Sequence, residues 1–118
     1  MKNKAFNTIK GRYGETLASK HISRILKYKI LDQNYKCILG EVDIIAKDKK
    51  TIVFIEVKYK PSLEFGSPRE MVTTQKQRKI KQVAQFYLKS KNIIDSMVRF
   101  DVAEVIDDKV EYIFDAFW

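Results

Sequence analysis

Gly40-Glu41-Val42-Asp43, followed along the chain by Thr51-Ile52-Val53-Phe54-Ile55-Glu56-Val57-Lys58, is the stretch that decides the fold. In the second segment every position from 52 to 57 except Glu56 is apolar, and β-branched residues dominate. This composition is typical of a strand that is buried on both faces in the middle of a sheet. Because a buried carboxylate is costly unless it is paired, we expect Glu56 to meet solvent, a cation or a metal ion.

The turn between these two segments decides whether Asp43 and Glu56 share a face of the sheet. A two-residue loop at Lys49-Lys50 would place Asp43 directly opposite Glu56, with Cβ atoms roughly 4.5–5.5 Å apart. A loop at Asp48-Lys49 would pair Asp43 with Phe54 and leave the two acids diagonal on one face. A three-residue loop would send Glu56 to the other face. A shared acidic site therefore requires an even loop length or an equivalent bulge.

Length and charge set the class of protein. A chain of 118 residues forms one domain, 1–118, with its own hydrophobic core. Lys and Arg total 23 against 15 for Asp and Glu, and the net charge of +8 predicts a polyanionic partner such as nucleic acid. The alternative is a solvated surface that is merely rich in lysine.

The compartment is predicted from what the sequence lacks. Cys37 is the only cysteine, which excludes an intramolecular disulfide and agrees with a reducing environment. We expect Cys37 to be a buried structural residue. No segment is apolar enough for a signal sequence or a membrane span, so we expect a cytoplasmic protein without a membrane partner.

The remaining hydrophobic pattern predicts an α/β fold with the element order αβββαββ. Its last residues, Ala116 to Trp118, are expected to dock on the body because a free aromatic pair would leave an exposed apolar patch. The expected elements are an amphipathic helix from about Thr8 to Tyr28, an edge strand Lys29–Cys37 with a bulge or bend near Asp32-Gln33-Asn34, a strand Glu41–Lys47, the buried strand, a loop Tyr59–Gly66, a short helix opened by the capping box Ser67-Pro68-Arg69-Glu70, a longer helix from Thr73-Thr74 to about Ser90, and strands Met97–Ile106 and Val110–Phe114.

The first helix brings an acid towards the sheet. Gly11 and Gly14 lie near its start, where each destabilises a helix by roughly 0.5–1 kcal/mol relative to Ala, so a close backbone approach is expected there. Glu15 lies along the packed stripe, which predicts that it faces the sheet or its edge. The alternative for Glu15 is a favourable interaction with the helix dipole or an ion pair with Arg12 or Lys20.

An acid on a helix, an acid on a strand and Glu-x-Lys at the end of the neighbouring strand form a set with a clear chemical use. Hard divalent cations such as Mg²⁺ take oxygen ligands, keep several waters and bridge to phosphate. Asp43 and Glu56 would hold the metal, and the main-chain carbonyl of Val57 would add a ligand. Lys58 would orient water and stabilise the charge that develops on phosphate. The alternative is a pair of surface carboxylates at a strand end balanced by Lys58.

Several ordered motifs together resemble the YraN family, which is similar to the restriction-endonuclease-like PD-(D/E)XK superfamily and to archaeal Holliday junction resolvases. The resemblance implies a restriction-endonuclease-like αβββαβ core, with a mixed central β-sheet flanked by helices. The motifs are Gly11-x-x-Gly14-Glu15, Gly40-Glu41-Val42-Asp43-Ile44-Ile45-Ala46, Phe54-Ile55-Glu56-Val57-Lys58, Lys76 before Ile80 and Ala84, Arg99-Phe100-Asp101-Val102 and Ala116-Phe117.

The function implied by this resemblance is a Mg²⁺-dependent endonuclease, with Mn²⁺ as a substitute and no organic cofactor, that acts on DNA of perhaps branched structure. A homodimer is expected if junctions are the substrate, because resolving a junction needs two sites. The alternative is a nucleic-acid-binding module that keeps the fold without cleavage. The implied catalytic residues are Asp43, Glu56, Lys58 and Glu15; the expected metal ligands are Asp43, Glu56, the Val57 carbonyl and Glu15. The resemblance implies a phosphate contact at Lys76, and we also expect nucleic-acid contacts at Lys60, Arg78 and Lys79, the alternative for the helix residues being a solvated face.

Overall fold

A computed structural model of the chain describes residues 4–60 and 72–118, with side chains from residue 12 onward. One five-stranded sheet, in the order β1-β2-β3-β4-β5, lies between two helices. The central pair β3–β4 is parallel and the other pairs are antiparallel, so the predicted mixed sheet and element order are confirmed. The elements are α1 Lys4–Lys20, a π-helical turn His21–Ile25, β1 Lys29–Cys37, β2 Gly40–Asp48, β3 Thr51–Lys60, α2 Thr74–Ser90, β4 Met97–Ile106 and β5 Lys109–Ile113.

Strand β3 lies at the centre of the sheet and is buried on both faces, as its apolar run predicts. Phe54 packs in the layer that contains α2, whereas Val53 and Ile55 pack in the layer that contains α1. This alternation follows from the two-residue period of a strand. The two hydrophobic layers therefore meet at β3, and the side chains at its carboxyl end lie between the two helices.

The β2–β3 turn has the even length that a shared acidic site requires. Asp48 pairs with Thr51, so the loop is Lys49-Lys50, and Lys49 has φ 57°. The antiparallel pairing continues to Ile44 and Ile55, where the recorded register ends. Continuing this register by one residue on each strand brings Asp43 to the position of Glu56.

Beyond Ile44 and Ile55, strands β2 and β3 separate. Strand β2 stays paired with β1 as far as Gly40, and β3 stays paired with β4 as far as Lys60. We call this opening between residues 40–43 of β2 and residues 56–60 of β3 the fork. Asp43 and Glu56 are the first residues past the last β2–β3 pair.

The β1–β2 tip turns towards α2 at the fork. Strict alternation predicts that Val42 shares a layer with Ile44, but Val42 packs in the α2 layer instead. The partner strand has a positive φ of 52° at Asn34, which interrupts its alternation at the same level. Gly40 also lies close to α2, since a Cβ there would be 3.4 Å from a methyl group of Val83.

The first helix differs from its predicted bounds. It begins at Lys4 rather than near Thr8, and it ends in the π-helical turn at Ile25 rather than reaching Tyr28. Lys27 has φ 64°, a left-handed conformation that stops a helix. Tyr28 instead precedes β1, which has its predicted bounds and edge position. The β1 register shifts between Ile30 and Asp32, close to the predicted bulge.

The second half of the chain matches its predicted elements more closely. Strand β3 runs to Lys60, two residues further than expected, and the predicted capping box Ser67–Glu70 lies outside the described residues. Thr73 caps α2 by accepting a hydrogen bond from the backbone N–H of Lys76. The last turn is two residues long, since Ile106 pairs with Lys109.

The carboxyl terminus docks only in part. Phe117 is buried and stacks on Phe100, and the backbone N–H of Ala116 donates to the Phe100 carbonyl. Trp118 is 71% exposed, so the expectation that it docks is wrong. Cys37 is a free thiol and is half-buried rather than buried. Neither described helix is long and apolar enough to span a membrane.

Candidate functional site

Asp43 lies where the fork begins, next to the last β2–β3 pair. The backbone N–H of Val57 donates to the Asp43 carboxylate with an N–Oδ2 distance of 2.8 Å. This side chain therefore meets a β3 backbone donor just beyond the last β2–β3 pair. The contact fixes Asp43 beside the Glu-Val-Lys segment, so one acid from each diverging strand lies at the same place.

Glu56 is the buried partner in this pair. Only 5% of it is exposed, and one of its carboxylate oxygens lies 3.1 Å from the Lys76 ammonium and 3.5 Å from the Lys58 ammonium. Lys58 reaches it from the same face of β3, two residues along the strand, whereas Lys76 reaches it from the first turn of α2. Glu56 thus meets cations, which is one of the environments expected for a carboxylate in this run.

Burial, together with the charge of Glu56, raises the pKa of Asp43 to about 7. The Val57 hydrogen bond and the Lys76 charge act in the opposite direction and do not offset these effects. Burial, the largest of these effects, and the neighbouring carboxylates both favour the protonated form of Asp43.

Helix α1 contributes Glu15 to the rim of this site. A Cβ at Gly14 would lie 3.3 Å from the Tyr59 Cβ, so the absence of a side chain there lets α1 approach the end of β3. Burial raises the pKa of Glu15, a hydrogen bond from the Asn34 side chain lowers it, and nearby carboxylates including Glu56 raise it again. The expected close approach at Gly14 is confirmed, and Glu15 faces the sheet edge.

The acids that converge are two rather than three. Within residues 4–60 and 72–118, no group of three or more His, Cys, Asp and Glu side chains is placed to hold a metal ion. Asp43 and Glu56 form the pair, and Glu15 acts on Asp43 through its charge. The chemistry available at the fork is that of two coupled carboxylates with ammonium groups beside them.

The predicted nucleic-acid contacts fall into two groups. Arg78 and Lys79 are exposed on α2, and 45% of the Lys76 side chain is exposed. Lys60 is only 4% exposed and lies 3.4 Å from Glu104, which is itself 1% exposed. The structure thus places Lys60 in the interior, at the end of the longer β3.

A second polar cluster lies on the opposite face of the sheet. Asp101 is fully buried and accepts hydrogen bonds from Arg99, from the Tyr112 hydroxyl and from the backbone N–H of Asp115. Arg99 also donates to the Tyr28 hydroxyl. Because these contacts join β4 and β5 to the segment before β1, this cluster holds the sheet edges together.

Sequence reasoning did not find this cluster or the buried Glu104. The signal for the first was two opposite charges, Arg99 and Asp101, spaced two residues apart on one face of a strand. The signal for the second was a single acid, Glu104, within the apolar run from Val102 to Val105. His21 stacks on Tyr112.

Comparison with known proteins adds a family to this geometry. The sequence model of the Uncharacterised protein family UPF0102 matches residues 14–105, which include Glu15, the fork and α2. A UPF0102 protein of Clostridium botulinum is 52% identical over 97 residues, covering 81% of this chain and 78% of that protein. One of Caldicellulosiruptor saccharolyticus is 47% identical over 95 residues, covering 80% of each. One of Caldanaerobacter subterraneus is 43% identical over 114 residues, covering 91% and 93%.

Proposed function

The chain belongs to the UPF0102 family, the YraN family, and on that premise we propose that it is a Mg²⁺-dependent endonuclease that hydrolyses DNA phosphodiesters at the fork. The observation that carries the proposal is the pairing of half-buried Asp43 with buried Glu56, with Lys58 and Lys76 beside Glu56. Such a pair contributes little to stability and is well suited to binding a cation and a phosphate.

The donor set fits a small hard cation. Asp43 and Glu56 would hold Mg²⁺ or Mn²⁺, with the Val57 main-chain carbonyl as a further oxygen donor and waters completing the shell. Burial and the charge of Glu56 both raise the pKa of Asp43, and a cation held by the two carboxylates would offset both effects and favour the ionised form. When bound, the ion would lower the pKa of water and withdraw charge from the scissile phosphate.

The side chains of the fork have distinct roles in this proposal. Glu56, held between two ammonium groups, orients Lys58 towards the open side of the site. Lys58 stabilises the negative charge that grows on the phosphate oxygens during attack by water. Lys76 binds a phosphate oxygen from the α2 side. Glu15 adds negative charge at the rim of the site from the α1 side.

The proposed substrate is DNA, held mainly through its backbone. The net charge of +8 and the exposed Arg78 and Lys79 on α2 favour phosphate contacts. Such contacts position a duplex without reading its sequence. Branched DNA is the form that the resemblance to junction resolvases suggests, and two copies of the chain would then be needed to cut both strands.

Cleavage assays on a panel of DNA substrates test the proposal. Wild type, Lys58→Ala and the control Lys50→Ala are incubated with linear duplex, single-stranded and four-way-junction DNA in Mg²⁺, Mn²⁺ or EDTA. Lys50 is exposed in the turn at the other end of β3, roughly 26 Å along the strand from Lys58. We expect cleavage by wild type and Lys50→Ala, none in EDTA, and a loss of at least about a hundredfold in Lys58→Ala.

Two results would overturn this function. Cleavage that persists unchanged in Lys58→Ala would move the chemistry away from the fork. Metal-independent binding of every substrate, with no cleavage of any, would identify a nucleic-acid-binding module that keeps the fold.

A further inference from the structure

The two lysines beside Glu56 are held in different ways. Lys58 follows Glu56 on the same strand, and 22% of its side chain is exposed. Lys76 comes from α2, lies closer to the Glu56 carboxylate at 3.1 Å, and has 45% of its side chain exposed. Because Lys76 reaches the acid from α2 and nearly half of its side chain is exposed, the ammonium group can swing towards solvent without any movement of the sheet.

The helix does not favour a cation at this position. Thr73 is the N-cap of α2, so Lys76 is its third residue and sits where the backbone N–H groups give the helix end a positive charge. The first turn of α2 contains no acidic residue that would offset this repulsion. The attraction of Glu56 therefore keeps the Lys76 ammonium in place, and it also raises the pKa of Lys76 against the opposing effect of burial.

We propose that Lys76 is an exchangeable counter-ion: its ammonium holds the place of the divalent cation at Glu56, and binding of the cation releases it to the substrate phosphate. The inference rests on the proposed function, since it uses the same site. A cation at the Asp43–Glu56 pair neutralises the charge that attracts Lys76 and repels the ammonium group. A phosphate at the α2 N-terminus then provides a new partner for Lys76, because both the helix end and the lysine attract anions.

This exchange couples the two binding events. Without DNA, Lys76 competes with the divalent cation, so the cation binds more weakly than the two carboxylates alone would allow. With DNA present, the phosphate holds Lys76 away from Glu56 and the competition ends. By linkage, each ligand tightens the binding of the other by the same factor.

Isothermal titration calorimetry with Mn²⁺ or Ca²⁺ tests the exchange without relying on cleavage. Wild type, Lys76→Met and the control Lys89→Met are titrated alone and then with a duplex whose phosphorothioate linkages slow hydrolysis. Lys89 is exposed in the last turn of α2, about 20 Å along the helix from Lys76. The Lys89→Met protein has the same net charge as Lys76→Met but keeps the contact with Glu56. Thermal unfolding of each variant without metal checks that the fold is intact.

We expect Lys76→Met alone to bind Mn²⁺ about three- to tenfold more tightly than wild type and Lys89→Met. We also expect DNA to tighten Mn²⁺ binding to wild type and Lys89→Met, and to leave the affinity of Lys76→Met nearly unchanged. Equal Mn²⁺ affinity in wild type and Lys76→Met would overturn the exchange while leaving the metal site in place. If none of the three proteins binds a divalent cation, the proposed function fails as well.

Discussion

Asp43 is the residue at which the fork conflicts most directly with stability. Burial and the neighbouring Glu56 raise its pKa in the folded protein to about 7 from 3.8. Above the folded pKa the carboxyl group is ionised in both states, and the folded state bears the desolvation and repulsion. As the pH falls from about 7 towards 4, the folded protein takes up a proton that the unfolded chain does not bind, so the free energy of unfolding rises.

Replacing the Asp43 carboxyl by an amide should remove the part of the pH dependence of the free energy of unfolding that this residue causes. We expect Asp43→Asn, in EDTA, to raise the free energy of unfolding by about 1–3 kcal/mol at pH 8, because Asn still accepts the Val57 hydrogen bond without the charge. The difference from wild type should shrink as the pH falls to 5. Urea denaturation at each pH measures it, with the exposed Asp95→Asn as the control. A variant less stable than wild type at pH 8 would contradict the assignment of Asp43 as a strained acid.

At the scale of the elements, the Asp101 cluster joins β4 and β5 to the segment before β1. Arg99 lies 2.9 Å from the fully buried Asp101 carboxylate and 3.2 Å from Asp48. Removing one partner of a buried ion pair leaves an uncompensated charge, which is far more costly than losing an exposed pair. The cluster should therefore contribute more to stability than an exposed ion pair on the protein surface.

We expect Arg99→Met to lower the free energy of unfolding by about 3 kcal/mol. The Tyr112 hydroxyl still donates to Asp101 in this variant, but it does not neutralise the carboxylate. Arg12→Met, which removes an exposed arginine of α1, should change it by less than about 0.5 kcal/mol. Urea denaturation of both variants measures the difference. Equal stability of the two would mean that the cluster does not hold the sheet edges.

The central elements could be predicted because local rules decide them. The apolar run of β3 predicted its central position. The sequence left the length of the β2–β3 loop open, and the two-residue loop at Lys49-Lys50 is the one that places Asp43 opposite Glu56 when the register is continued. The four-residue spacing between Lys76 and Ile80 placed Lys76 towards the sheet, where it reaches Glu56.

Other features depend on contacts between residues that are distant in sequence. Lys60 is buried because its partner Glu104 lies on the neighbouring parallel strand, and no local period reports that pairing. Val42 changes layers where β2 leaves β3, next to the positive φ of Asn34 on the neighbouring strand β1. The end of α1 depends on the left-handed backbone conformation of Lys27, which the presence of a lysine does not predict.

At the scale of the whole molecule, the excess of positive charge should govern binding to DNA. A protein that contacts phosphates releases counterions, so its affinity falls with salt in proportion to the number of contacts. The exposed Arg78 and Lys79 lie on the same helix as Lys76, whereas Lys89 is at the other end of that helix. The first two should therefore contribute to the salt dependence and the third should not.

We expect the Arg78→Ala/Lys79→Ala variant to reduce the slope of log affinity against log salt by about 1–2, with little effect of base sequence. Lys89→Ala should leave the slope unchanged. Fluorescence anisotropy with labelled duplexes of two sequences, in EDTA to prevent cleavage, measures both. A slope that Lys89→Ala alters as much as the double variant would indicate diffuse attraction rather than a surface on one end of α2.

The central claim is that the fork is a divalent-cation site. Anomalous diffraction from crystals of wild type and Asp43→Asn soaked in Mn²⁺ tests it most directly, because the map locates the ion without any need for activity. We predict that the strongest anomalous peak in wild type lies between the Asp43 and Glu56 carboxylates, and that it is lost in Asp43→Asn. A wild-type map with no peak at the fork, or with its only peaks elsewhere, would contradict the account.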